Sequence, residues 1–231
     1  MQHKQRFTNV TLVTPYGEED KDLLIDGDKI VDILNPNENI SDEWKIIDGQ
    51  NNFIFPGMID VLQHGFLNYL YGHAEENCTV DNSKILPSVG VTGFLPSTPC
   101  LPPEKTKTLL NALSNDIDKA KEGARVLGIH SEGPCFALPG AHDPKNLRNP
   151  SVSLAEELLD ACQGKLKALT LAPEMNGSEE FIKRLKKEKI SIHLGHSGAN
   201  PIDVPKFADW GVDAVTHLSL IHISEPTRRR L

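Results

Sequence analysis

The sequence has no Cys-x-x-C pair; its four cysteines, Cys78, Cys100, Cys135 and Cys162, are scattered along 231 residues. A disulfide framework is not expected of a chain this long with such spacing, and a reduced, cytoplasmic setting is. Long apolar runs are missing as well. None approaches the roughly 20 residues that span a bilayer, so no membrane partner is expected. The opening Met-Gln-His-Lys-Gln-Arg lacks the apolar core of a signal peptide. Positive charge is also short: 24 Lys and Arg face 32 Asp and Glu, a formal net charge of -8. Phosphate backbones demand clustered cations, so a nucleic-acid partner is excluded. The acidic balance leaves the small-molecule substrate open, because one cationic pocket can sit inside an acidic protein. Internal repeats and low-complexity segments are absent.

What is present divides by rhythm. The first fifty residues read as short strands. Thr8 to Thr14 is β-branched and partly alternating, and Asp26-Gly27 separates two apolar runs over Leu23–Val31, a strong hairpin signal. A second Asp-Gly follows at Asp48-Gly49. Residues 1–52 are therefore expected to form a small β-sandwich-like module.

From Phe53 the pattern becomes strand-then-helix. Apolar strand candidates are Phe53–Leu62, Val91–Leu95, Val126–His130, Leu166–Leu171, Ile190–Leu194 and Ala214–Leu218. Between them, Pro102-Pro103 opens a helix reaching about Lys121, with Gly123 after it. Ser153-Leu-Ala-Glu156 reads as a capping box for a helix ending near Gly164, and Ser178 as the cap of Glu179–Lys187. Pro201 to Trp210 forms a further short helix closed by Gly211. Strands alternating with helices imply parallel α/β architecture, either a doubly wound sheet or a (β/α)8 barrel. The polar motifs fall at the C-terminal ends of several different strands, as barrel active sites do.

Four strand ends carry chemistry. They are Pro56-Gly-Met-Ile-Asp60-Val-Leu-Gln63-His64-Gly65, Gly128-Ile-His130-Ser-Glu132-Gly-Pro134, Ile192-His193-Leu-Gly-His196-Ser197 and Val215-Thr216-His217-Leu218. A carboxylate straight after an apolar strand faces an interior where charge is costly unless paired or metal-bound. Glu132, His196 and His217 close the third, fifth and sixth strands, and barrel closure turns them toward one pocket. One carboxylate and two imidazoles form a normal zinc or iron set with a position open for water. The alternative is three unrelated hydrogen-bonded residues. Taken by itself, His142 reads as a loop histidine in a turn with Asp143-Pro144, and Cys135 as a small packing residue.

The ordered combination of His130-Ser-Glu132-Gly-Pro134, Gly140-Ala-His142-Asp-Pro144, Leu194-Gly-His196-Ser197 and Thr216-His217-Leu218 resembles the N-acetylglucosamine-6-phosphate deacetylases of the amidohydrolase superfamily. Pro56-Gly-Met-Ile-Asp60 and Gly93-Phe-Leu-Pro-Ser-Thr98 resemble the first and second barrel strands of the same family. The resemblance runs from about residue 5 to about 218. It implies an amidohydrolase-type TIM barrel over residues 53–218, incomplete at about six strands. It implies one divalent metal ion, zinc or iron, on Glu132, His196 and His217, with Ala141 and His142 toward the sugar; His64 stands as a candidate for contact with metal, water or substrate, with a structural role as the equal alternative. The reaction implied is hydrolysis of N-acetylglucosamine 6-phosphate to glucosamine 6-phosphate and acetate, by an intact enzyme that is a homodimer. N-acetylgalactosamine 6-phosphate, another amidohydrolase reaction and a non-catalytic barrel fragment are the alternatives.

Three departures stand out. Where the superfamily often carries His-x-His, this sequence reads Leu62-Gln63-His64, so a second metal is not expected. The carboxylated lysine of other amidohydrolases after the fourth strand is also lacking; Ala172-Pro173-Glu174 stands there. After Leu218 the sequence leaves the family pattern, and residues 219–231 are expected to be a non-native tail. The resemblance then implies C-terminal truncation, with the general-base Asp beyond the end and no catalytic acid–base residue within the chain.

Overall fold

The computed structural model describes residues 4–73 and 77–218. The expected tail over 219–231 lies outside them. Contacts divide the chain into two compact units, Met1–Gly57 and Met58–Leu231.

The first unit is a five-stranded sheet of β1 (Lys4–Thr14), β2 (Gly17–Asp20), β3 (Asp22–Asp26), β4 (Lys29–Leu34) and β5 (Lys45–Ile54). Asp26-Gly27 makes the expected turn: β3 and β4 pair antiparallel with Asp26 opposite Lys29. Strand β1 pairs antiparallel with β2 and β3 and parallel with β5. Its core is small, built on Val10, Leu12 and Leu23 with Phe7, Ile25 and Ile54 packed against them. A buried ion pair joins Arg6 Nε to Asp22 at 2.7 Å.

The expected first barrel strand, Phe53–Leu62, is two segments. Phe53 and Ile54 finish β5, where they pair with Thr11 and Leu12 of β1. A new strand, β6 (Met58–Gln63), begins after Phe55-Pro56-Gly57. The unit boundary accordingly falls at Gly57 rather than at residue 52. Proline has no N–H for the ladder, so an apolar run that crosses Pro56 is divided there. Asp48-Gly49 lies inside β5, beside an irregularity in its register with β1.

The second unit continues with a short hairpin, β7 (Gly65–Phe66) and β8 (Tyr69–Leu70), then α1 (Cys78–Ile85), β9 (Val91–Thr98), α2 (Pro103–Lys119), β10 (Arg125–Val126) and β11 (Ile129–Glu132). After these come α3 (Val152–Ala161), β12 (Leu166–Leu171), α4 (Ser178–Lys186), β13 (Ser191–Leu194), α5 (Val204–Trp210) and β14 (Val212–Val215). Strands β6, β9, β11, β12, β13 and β14 pair in chain order, every pair parallel. A doubly wound sheet reverses its strand order at a switch point. Uninterrupted sequential order is the winding of a (β/α) barrel, here six strands of one. The third strand is broken at Leu127-Gly128, leaving β10 paired with β9 as a separate short piece.

Helix faces and central strands share one core. Leu109, Leu110 and Leu113 of α2, Leu154 and Leu158 of α3, and Phe181, Ile182 and Leu185 of α4 bury against Phe94, Ile129, Leu166, Leu169 and Ile192 of the sheet. Spacing of three and four residues puts each set on one helix face. Among the described residues, no helix is long and apolar enough to cross a membrane.

Two caps differ from the sequence expectation. The N-cap of α3 is Ser151, whose hydroxyl accepts from the Leu154 N–H at 3.1 Å, and Ser153 lies within the helix. Ser151 has extended backbone, as an N-cap requires, so the helix starts one half-turn earlier than the Ser153-x-x-Glu156 pattern suggests. For α4 the cap is Gly177, and the Ser178 hydroxyl instead donates to the Ala172 carbonyl at 3.3 Å. Ser151→Ala is expected to lower stability by about 1 kcal/mol, while Ser153→Ala changes it by less than about 0.5 kcal/mol. Urea unfolding of the two variants checks the assignment.

A candidate metal centre at the strand ends

The last residue of β11 is Glu132, 2% exposed. Two of its neighbours reach it from chain segments just past β13 and β14. His217 Nε2 stands 2.9 Å from Oε1, and His196 Nε2 3.4 Å from the same oxygen. His64, just after β6, puts Nε2 2.8 Å from Oε2, and His142 Nε2 lies 3.6 Å from that oxygen. Four imidazoles thus surround one buried carboxylate. They line, with Pro99 and Ala141, a cavity of about 320 Å³. Every residue that the sequence singled out for metal or substrate is therefore in one place.

Hydrogen bonds at the far side of three of the four rings constrain where their protons sit. The Leu138 carbonyl lies 3.1 Å from His196 Nδ1. A carbonyl only accepts, so Nδ1 carries the proton and neutral His196 presents a bare lone pair at Nε2. That buried Nε2 has no hydrogen-bond partner. Its 3.4 Å approach to Glu132 sets lone pair against lone pair. The Ser97 carbonyl also accepts from His64, 3.0 Å from its Nδ1, but His64 Nε2 lies 2.8 Å from Glu132 Oε2, so acceptors face both ring nitrogens and favour the charged ring. His142 is the opposite case. The Cys100 backbone N–H donates to its Nδ1 at 3.3 Å, which leaves the proton on Nε2. His142 is therefore a donor toward the cavity.

Electrostatics follow from the crowding. Burial pushes the Glu132 carboxyl up, but the hydrogen bonds from His142 and His64 hold it well below the usual carboxylate range. The bond to Glu132 raises His64 against the opposing effect of burial. Cys100 and Cys135 are pushed up by burial to about 11 and about 12. Both stay thiols at neutral pH, which agrees with the packing role expected of Cys135.

Glu132, His196 and His217 each offer one ligand atom, and the three atoms lie within 4.8 Å of one another. An anionic oxygen, a partnerless imine nitrogen and a second imidazole fit a divalent ion such as zinc or iron. Two further observations support a built site. His196 and His217 both hold left-handed backbone, with φ of 52° and 62°. Such strain in non-glycine residues persists where the surroundings impose it, and it clusters at functional sites. The backbone also clamps His196. Its carbonyl accepts from the Ala137 and Leu138 N–H groups at 3.1 and 2.8 Å. Gly140 makes this closeness possible, since a Cβ there would lie 2.9 Å from the His196 ring.

Sequence reasoning missed the supports. Phe136 stacks on the His196 ring at 4.1 Å between centroids. The Glu174 carboxylate accepts from the Ser197 hydroxyl at 2.8 Å and the Gly198 N–H at 2.6 Å, holding the loop past His196. The signal for Glu174 was available: like Glu132, it is a carboxylate just past an apolar strand. His130 and His193, although part of the strand-end motifs, are not among the residues that line the cavity. His130 lies under it, pushed down to about 4 by burial.

No protein-family profile matches the chain. Individual proteins do. The N-acetylglucosamine-6-phosphate deacetylase of Danio rerio is 30% identical over 225 residues, 92% of this chain and 54% of that protein. An N-acetylgalactosamine-6-phosphate deacetylase of Escherichia coli O157:H7 is 31% identical over 143 residues, 59% of this chain and 38% of that protein. Among solved structures, N-acetylglucosamine-6-phosphate deacetylase from Pasteurella multocida superposes with a TM-score of 0.82 at 27% identity, covering 93% of this chain and 56% of that one. The chain thus spans about half the length of the relatives it matches.

Zinc added at one hundred times its dissociation constant to the chelated chain is expected to stabilise it by about 2.7 kcal/mol. Glu132→Ala is expected to abolish that gain. Thermal unfolding with and without metal measures both.

Proposed function

We propose a function from the premise that the chain belongs to the N-acetylglucosamine-6-phosphate deacetylase family of the amidohydrolase superfamily: it carries the metal-binding part of an enzyme that hydrolyses the acetamide of an N-acetyl sugar phosphate. The observation that carries this reading is the partnerless Nε2 of His196 facing Glu132, beside His217. Glu132, His196 and His217 would hold one zinc or iron ion. Such an ion, when bound, supplies Lewis-acid polarisation and a water whose pKa falls from 15.7 to about 7. His142, with its proton fixed on Nε2, donates a hydrogen bond to an oxygen of the acetamide or of the sugar. Ala141, beside it at the cavity rim, leaves room for the ring. His64 caps the second Glu132 oxygen and faces the same space. The products of the proposed reaction are glucosamine 6-phosphate and acetate.

Among the described residues, those lining the cavity include no aspartate, and none is assigned the general-base role, which the family resemblance places on an Asp. Positioned acid–base groups contribute about 10²–10⁴-fold to rate, so turnover by the 231-residue chain is expected to be lower than an intact enzyme's by a factor in that range. The whole enzyme is proposed as a cytoplasmic homodimer. The galactosamine epimer remains the second substrate reading, because a relative named for it matches the chain at 31% identity.

Calorimetric titration tests the reading. The zinc-loaded chain is expected to bind N-acetylglucosamine 6-phosphate more tightly than glucosamine 6-phosphate, with the difference lost on chelation and reduced in His142→Ala. Equal binding of both sugars, with or without zinc, overturns it.

A further inference from the structure

A line of hydrogen bonds runs beneath the two imidazoles, and its direction is set at one end. The Val61 carbonyl only accepts, so His130 Nδ1, 2.6 Å away, carries the proton. With the ring proton on Nδ1, buried His130 presents Nε2 as an acceptor, and the Thr170 hydroxyl donates to it at 2.8 Å. The Thr170 oxygen has then used its own proton. The Thr216 hydroxyl, 2.9 Å off, must donate to Thr170. Four segments are joined: β6, β11, β12 and the residue just past β14.

Both ends of the candidate metal set rest on the threonine pair. Thr216 is pinned a second time by its N–H, which donates to the Leu194 carbonyl at 2.8 Å. The next residue is His217, in its left-handed conformation. On the other side lies Gly195, where a Cβ would stand 2.5 Å from Thr170 Cγ2 and 3.0 Å from Thr216 Cβ. The two side chains fill the space under that glycine, and the residue after it is His196, also left-handed. One hydroxyl pair therefore abuts the backbone immediately before each imidazole donor.

We propose that Thr170 is a positioning residue: through Thr216 and Gly195 it sets the placement of His196 and His217 for a bound cation, while His130 orients its hydroxyl. This inference rests on the metal-centre reading. Neither the deacetylase resemblance nor the cluster of ligand atoms assigns Thr170 or Thr216 a role.

Zinc affinity of the 231-residue chain, measured by competition with a chromophoric chelator, tests it. The variants are Thr170→Val, which keeps the branched shape and removes the hydroxyl, Thr170→Ser, which keeps the hydroxyl, Thr216→Val, and the Thr170→Val/Thr216→Val double variant. Partners that orient metal ligands are worth about 10–100-fold in affinity, and Thr170→Val is expected to weaken zinc by that factor. Thr170→Ser is expected to retain wild-type affinity, which a purely packing role of the methyl would not produce. The double variant is expected to fall within about twofold of Thr170→Val, because both substitutions remove the same bond. Should Thr170→Val fail to fold, Thr216→Val breaks that bond from the other side and carries the same expectation. Wild-type affinity in the folded valine variants overturns the proposal, as does a serine variant as weak as the valine one. Absence of zinc binding by the wild-type chain overturns the metal-centre reading and this proposal with it.

Discussion

A carboxylate buried at 2% exposure has to be compensated, and the arrangement around Glu132 is the form that compensation takes. Transfer of an unpaired carboxylate into such a place costs far more than one hydrogen bond returns. Imidazoles from four different segments supply the compensation. One of them, His196, has its outer nitrogen committed to a carbonyl, so its inner nitrogen offers a lone pair rather than a proton. The contact between that lone pair and the carboxylate is left unsatisfied by protein alone. The same cluster is well satisfied by a dication. The chemistry of the site thus follows from one buried charge and the tautomers around it.

The barrel winding makes this convergence possible. Parallel strands in chain order deliver successive C-terminal ends to one edge, so residues 85 positions apart, His217 and Glu132, come within 2.9 Å. The layer beneath is equally ordered by polar contacts. His130, Thr170 and Thr216 lock strands across the sheet with every proton accounted for. The loop from Pro134 to His142 closes from the other side, bringing Phe136 against the His196 ring and the Leu138 carbonyl to its Nδ1.

Much of this was legible in the sequence. The strand–helix rhythm was clear because Pro102-Pro103, Gly123 and Gly211 punctuate it, and the ligand candidates announced themselves as charged or imidazole groups closing apolar strands. Other features were illegible for physical reasons. A barrel and a doubly wound sheet share one rhythm and differ in strand order, which is a property of pairing. The apolar run Phe53–Leu62 conceals a break at Pro56, because hydrophobicity continues on both sides while pairing partners change from β1 to β9. Ser151 and Ser153 both satisfy local capping rules; only backbone geometry chooses between them. The supports of the site were out of reach altogether. Leu138 lies 58 residues from His196 and Thr170 lies 46 from Thr216, and a carbonyl or a hydroxyl in a strand carries no signature of the partner it will meet.

X-ray absorption at the metal edge of the zinc-loaded chain tests the central claim most directly. The account predicts a first shell of nitrogen and oxygen near 2.0–2.2 Å with the outer-ring scattering of two imidazoles. A shell containing sulfur near 2.3 Å, or one without imidazole scattering, would contradict it.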